Sequence, residues 1–290
     1  MAAPAKIGLI EAGGTKCLCA VSHGGEISET VRIETTTPDE TLEKIRACFH
    51  EHGQLDRLAL ATFGPVHLEE RHPDFGTLTT TPKPGWSGLN WCTALAGLSL
   101  SPLRIVTDVE AAALGEFLYG AGQGVFSLMY VTVGTGIGAA LVRDGRIDRG
   151  AQHMEAGHIS LRLHPADRDF TGTCPFHGNC LEGLAAGPAV AARTGRPAEA
   201  LPPDHPVWEQ VAFYLGQLCV TLSLIAAPQR IVLGGGLMEV DGLLDRIRRE
   251  FVNLLGGYHP GAELPREDMI VPASLKGSSA FVGLRHLAGE

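Results

Sequence analysis

No cluster of lysine and arginine appears anywhere in the chain. Its 23 basic residues are outnumbered by 32 acidic ones, for a formal charge of −9 and a pI near 5.7. A nucleic-acid partner calls for concentrated positive charge, so none is expected. No apolar run reaches the roughly 18–20 residues of a membrane span. Met1 to Lys16 has no basic n-region and puts Glu11 where a signal peptide would be apolar. The seven cysteines are odd in number and scattered, which does not suit a disulfide frame and points to a reducing cytoplasm. Aromatics are scarce at 6%. The GxxxxGK[ST] spacing of a P-loop is missing, and so is a dinucleotide fingerprint opening a helix. What is present is 290 residues, 44% hydrophobic, with 37 glycines. That is enough core for one large domain or two lobes.

The glycines cluster at strand ends. Lys6–Glu11 reads as a strand, Gly13-Gly14 as a tight turn, Cys17–Val21 as a second strand and Gly24-Gly25 as another turn. The pattern returns at Leu128–Val133, Gly134-Thr135-Gly136, Gly138–Val142 and Asp144-Gly145, aligned without gaps at an offset of 120 residues. Two copies at that spacing are not a solenoid. They suggest two lobes of similar topology facing each other, although two unrelated hairpins with shared turn chemistry would look the same. Other elements read as a helix over Pro38–His52 opened by Thr37, a strand over Arg57–Ala61, and a strand over Arg104–Thr107 followed by a helix over Val109–Tyr119. Further on come helices over Val207–Ala226, Val240–Leu255 and Ser278–Leu287, with a strand over Arg230–Leu233. Strands alternating with helices imply α/β lobes. The expected division is 1–115 joined by a C-terminal helix at 276–290, and 116–275.

Four constellations carry chemistry. Glu11-Ala-Gly13-Gly14-Thr15-Lys16 reads either as a plain hairpin turn or as an anion cradle with an added hydroxyl and cation. The second copy at Gly134-Thr135-Gly136 favours a polyphosphate held by both, with Glu11 holding a Mg²⁺-bound water. Asp108 sits at a strand's carboxyl end directly before a helix, as a helix cap or as the base of a phosphoryl transfer. Cys174-x₂-His177-x₂-Cys180 packs three ligand types into one loop. His158 would complete a closed, structural zinc site, with His153 and His164 as rival fourth ligands. Gly234-Gly235-Gly236 lies between a strand and a helix as a turn or a nucleotide contact.

In this order, these motifs and Glu155-x-Gly-His158 resemble the ROK (repressor, ORF, kinase) sugar kinases, and within them the zinc-containing bacterial fructokinases. The resemblance runs from residue 6 to about 285. It implies the two-lobed actin-like, ribonuclease-H-like α/β fold with an active-site cleft between lobes. It further implies ATP-dependent phosphorylation of D-fructose at the 6-hydroxyl. Asp108 would be the general base, and Glu155 and His158 would bracket the sugar. Glu11, Gly13–Lys16, Gly134, Thr135 and Gly136 would hold the phosphates of MgATP. Gly187, Pro188 and Gly234–Gly236 would line the adenosine. His158, Cys174, His177 and Cys180 would bind structural Zn²⁺. Gly64 and Pro65 are plausible sugar-cleft residues that packing explains equally well. A cytoplasmic homodimer is expected. Alternatives are a kinase for glucose, mannose or N-acetylmannosamine, or a sugar-sensing regulator, for which a first glycine loop at Glu11 leaves no room for a preceding DNA-binding domain. One departure stands out: the family's Asp-x-Asn-Ala reads Asp108-x-Glu110-Ala here.

Overall fold

The computed structural model describes residues 4–258 and 268–289. The chain divides into two compact units, Met1–Gly115 with Arg149–His153 and Ser278–Glu290, and Glu116–Asp148 with Met154–Gly277.

Unit 1 is built on β1 (Lys6–Ala12), β2 (Lys16–His23), β3 (Glu26–Ile27), β4 (Val31–Glu34), β5 (Arg57–Thr62) and β6 (Arg104–Thr107). The sheet order is β3-β2-β1-β5-β6, with β4 also pairing β2. β1 runs antiparallel to β2 and parallel to β5, which is parallel to β6. β1 and β5 are buried at almost every position, as expected of strands covered on both faces. Helix α1 (Pro38–His50) starts with Pro at its first turn and Asp39 and Glu40 beside its positive end, and it buries Thr41, Ile45 and Phe49 at four-residue spacing. Thr37 holds the cap position but makes no side-chain cap bond. α2 (Trp91–Ala94) is a single turn, and α3 (Asp108–Tyr119) follows β6 directly. The C-terminal helix Ser279–Leu287 packs on β1 and β5.

Unit 2 repeats the scheme. β7 (Ser127–Val133), β8 (Ile137–Arg143) and β9 (Arg146–Asp148) form the meander, and β10 (Arg230–Gly234) and β11 (Ile270–Pro272) extend it in parallel from β7, in the order β11-β10-β7-β8-β9. Numbered within each unit, and with the side-paired β4 left out of the count, both sheets read 3-2-1-4-5. The helices are α4 (Leu181–Ala185), α5 (Gly187–Thr194), α6 (Val207–Ile225) and α7 (Leu243–Leu255). In α7 the buried set is Leu243, Ile247, Phe251 and Leu255, one stripe at four-residue spacing that packs on α6. No helix among the described residues is long and apolar enough to cross a membrane.

Several boundaries differ from the sequence reading; α1, for example, ends at His50 rather than His52. The last helix begins at Ser279, one residue after the expected Ser278 and three after the 276 of the expected division, and Lys276 and Gly277 have φ of 38° and 73°, outside the right-handed helical region. α7 begins at Leu243, after Gly242 at φ 75°. α3 begins at Asp108 itself.

Candidate active site

At the first glycine turn the chain passes from β1 to β2. The Gly13 N–H donates to the Lys16 carbonyl at 2.9 Å, and a Cβ on Gly13 would lie 2.9 Å from that same oxygen. A Cβ on Gly14 would meet nothing within 4 Å, and neither glycine has positive φ. Backbone conformation therefore does not explain glycine at 14. Thr35 holds the turn from beneath, donating its N–H to the Thr15 carbonyl at 3.0 Å and its hydroxyl to the Gly13 carbonyl at 2.8 Å. Lys83 Nζ and the Trp86 indole N–H then donate to the carbonyls of Thr35 and Thr36, at 2.7 and 2.9 Å.

Glu11 is half-buried at the end of β1, and its Oε2 is sealed from solvent with no hydrogen-bond partner. Burial, and then the charge of Asp108, push its carboxyl up to about 7, against the pull of Lys16. The orphaned oxygen beside a second carboxylate suits a hydrated divalent cation. Because the folded chain holds this proton more tightly than the unfolded one, the associated stability is full below pH 4.5 and is lost as pH rises through about 7. Glu11→Gln is therefore expected to gain about 1–3 kcal/mol over wild type at pH 8 and little at pH 4.5. Thermal melts at both pH values, without nucleotide or divalent cation, check this. Equal melting at pH 8 contradicts it.

Asp108 follows Thr107, the last residue of β6, which pairs with Thr62 of β5. Its Oδ1 accepts the Val109 N–H at 2.9 Å. The cap itself is Thr107. Its hydroxyl accepts the Glu110 N–H at 3.1 Å, and Glu110 Oε2 accepts the Thr107 N–H at 2.8 Å, which is a reciprocal capping box around Asp108. Arg149 grips Glu110 with two bonds, Nε to Oε1 at 2.5 Å and Nη2 to Oε2 at 2.8 Å. Gly64 and Pro65, joined by a cis peptide, lie beside His153, whose Nε2 accepts the Val66 N–H at 3.2 Å.

In unit 2 three glycine segments converge. The Gly134 N–H donates to the Gly136 carbonyl at 2.9 Å, and the Gly187 N–H donates to the Gly134 carbonyl at 2.8 Å. Gly235 has φ 92°, and a Cβ there would lie 2.4–2.7 Å from Val133 backbone atoms, so only glycine permits this approach. Thr135 is exposed between its glycines, and Pro188 opens α5. Glu182 Oε2 accepts the Ile137 N–H at 3.0 Å and bears directly on Gly136, a contact with no local motif to announce it.

Also in unit 2, ligand atoms of His158, Cys174, His177 and Cys180 all lie within 4.8 Å of one another. Cys174 Sγ is 3.7 Å from Nδ1 of both His158 and His177, and Cys180 Sγ is 3.5 Å from Nδ1 of His158. Thiolate and imidazole donors on a tetrahedral ion with bonds of about 2.3 and 2.0 Å sit about 3.5–3.8 Å apart, so the set fits such a metal. Glu155 Oε2 stands 3.9 Å from His158 Nε2, the nitrogen facing away from the cluster. The two rival ligands are used elsewhere: His153 in unit 1, and His164 as an acceptor for the Ala166 N–H at 3.2 Å.

Two mixed sheets of one strand order, each opening on a hairpin with a Gly/Thr turn, define an α/β chain of the actin-like, ribonuclease-H-like kinase class. The chain belongs to the ROK family, whose model matches residues 7–290. It is 41% identical over 278 residues to a fructokinase of Pediococcus pentosaceus, covering 96% of this chain and 95% of that one. To a fructokinase of Streptococcus mutans it is 40% identical, covering 97% and 96%. A ROK family glucokinase from Streptomyces griseus, solved in complex with glucose and AMPPNP, superimposes with a TM-score of 0.76 at 25% identity, covering 98% and 99%.

Proposed function

We propose that this chain transfers the γ-phosphoryl group of ATP to the 6-hydroxyl of D-fructose, giving fructose 6-phosphate and ADP. The observation that carries the reading is Asp108 at the carboxyl end of β6, within electrostatic reach of Glu11, which Lys16 also reaches. A carboxylate there can take the hydroxyl proton as the sugar oxygen bonds to phosphorus and the bond to ADP breaks. Gly13–Lys16 and Gly134–Gly136 hold the phosphates, and the space above Gly14 gives glycine at that position a purpose. Gly187, Pro188 and Gly234–Gly236 line the adenosine. Gly64, Pro65, Glu155 and His158 contact the sugar. Mg²⁺, when bound, shields phosphate charge, with Glu11 orienting its water. His158, Cys174, His177 and Cys180 would hold Zn²⁺, and with four protein donors its part would be structural. The family resemblance adds a cytoplasmic homodimer.

Fructose is favoured because the relatives at about 40% identity are fructokinases. The glucose-bound neighbour supports glucose as the second reading. ADP release measured over a panel of fructose, glucose, mannose and N-acetylmannosamine decides. The expected kcat/KM for fructose exceeds the others by about tenfold or more, within what one polar contact supplies. A higher value for another hexose moves the substrate, and no sugar-dependent turnover removes the kinase assignment.

A further inference from the structure

We infer that Arg149, acting through Glu110, is a positioning residue that sets the orientation of Asp108. The inference rests on Asp108 being the group that takes the sugar's proton. Glu110 is only 2% exposed, yet it carries a carboxylate. A charge so buried persists only when paired and fully hydrogen-bonded. Arg149 supplies that pairing from 39 residues away, filling both oxygens in a fork that a lysine does not reproduce.

The geometry links this pair to the proposed base. Oε2 of Glu110 accepts from Arg149 and from the Thr107 N–H at once, both at 2.8 Å, so the bond that fixes its rotamer also fixes the capping box. Asp108 is enclosed in that box, tied to the sheet on one side through Thr107 and to Glu110 on the other. Arg149 is itself held in place. It opens the segment Arg149–His153 of unit 1, whose other end is bound through His153 to the Val66 N–H, next to Gly64 and Pro65. One short segment thus touches both the turn carrying Asp108 and the loop carrying two candidate sugar contacts. Without Arg149, Glu110 loses the partner that fixes both its oxygens, its bond to Thr107 weakens, and the 107–110 turn relaxes.

Arg149→Met tests this, with kcat counted per nucleotide-binding site so that unfolded protein does not enter. A displacement of about 1 Å at a reacting group costs up to about a hundredfold. The expected result is a kcat lowered about 10–100-fold, with ATP KM and AMPPNP affinity within about twofold of wild type. Glu110→Gln combined with Arg149→Met removes both charges but keeps an oxygen for the Thr107 N–H. It is expected to recover kcat to within about threefold of wild type. Wild-type kcat in Arg149→Met, or a double variant no better than the single, overturns the inference. If Arg149→Met does not fold, Arg149→Lys decides: lowered kcat with intact nucleotide binding supports the inference, and unchanged kcat overturns it. A wild-type chain without sugar-dependent ATP turnover defeats the kinase reading instead. An active wild type indifferent to Arg149 defeats only this inference.

Discussion

Replacing Asp108 by Asn is expected to lower kcat about 10²–10⁴-fold, the usual worth of a general base, while the chain folds and binds nucleotide as before. Asn keeps an oxygen for the Val109 N–H that Oδ1 now accepts at 2.9 Å, and the Thr107–Glu110 capping box does not involve the side chain at 108. Local structure is thus preserved while the proton acceptor is lost. The substitution also removes a negative charge that raises Glu11 toward about 7, so Glu11 should release its proton at lower pH in the variant. Relief of that repulsion predicts a melting temperature equal to or above that of wild type at neutral pH. Turnover, AMPPNP affinity and a melt, taken together, separate lost chemistry from lost fold. Near-normal turnover in the folded variant would end the assignment of Asp108 as base.

Much of the fold can be read from the sequence because its signals are local. The paired hairpins announce themselves through alternating apolar strands and glycine turns, and Gly24-Gly25 and Asp144-Gly145 both adopt the positive φ that such tight turns demand. β4 is silent because Val31–Glu34 buries only Ile33. α4 and α5 are hidden because they follow a run dense in Cys, His and Gly, whose ligand chemistry says nothing about where a helix starts. In the site, motif residues adjoining a turn or a strand end are legible from spacing alone. Their supports are not: Thr35 reaches Gly13 across 22 residues, Arg149 reaches Glu110 across 39, and Glu182 reaches Ile137 across 45. Glu110 gave a hint, since a carboxylate in an apolar helix start needs a cation, but nothing in the sequence says which arginine.

Metal loss is the second large effect, and it should be confined to one part of unit 2. The loop bearing Cys174, His177 and Cys180 has little apolar content of its own. It is folded tightly enough that a Cβ on Gly183 would overlap the Gly178 carbonyl, and Cys174 and Gly178 exchange two backbone bonds of 3.1 and 2.9 Å. Burial and the neighbouring Cys174 sulfur push the Cys180 thiol up to about 11, so in the metal-free loop this sulfur carries a proton that a metal ion would displace on binding. Structural zinc contributes on the order of 10 kcal/mol in small domains that have no other core. Here the buried core of α6, β7 and β10 is built from residues other than the four ligands. The chain before the loop is pinned separately by buried Asp167, bonded to Arg193 at 2.8 and 3.0 Å and to Tyr214 at 2.6 Å. Cys174→Ser, or chelation, should therefore release about one zinc per chain and abolish amide-exchange protection over 171–180, while β7, β10 and α6 keep theirs. His158 would then lack an ion to orient its ring, and Glu155, 3.9 Å from it, would lose a fixed neighbour. The KM for sugar should rise about tenfold or more, with ATP affinity changed less, because the turn at 134–136 is bonded to Glu182 of α4 rather than to any of the four metal ligands. Elemental analysis, hydrogen exchange and the split between the two KM values read these effects. An active chain without stoichiometric metal, or a loop equally protected after chelation, would show that protein packing alone holds His158 and Glu155 in place.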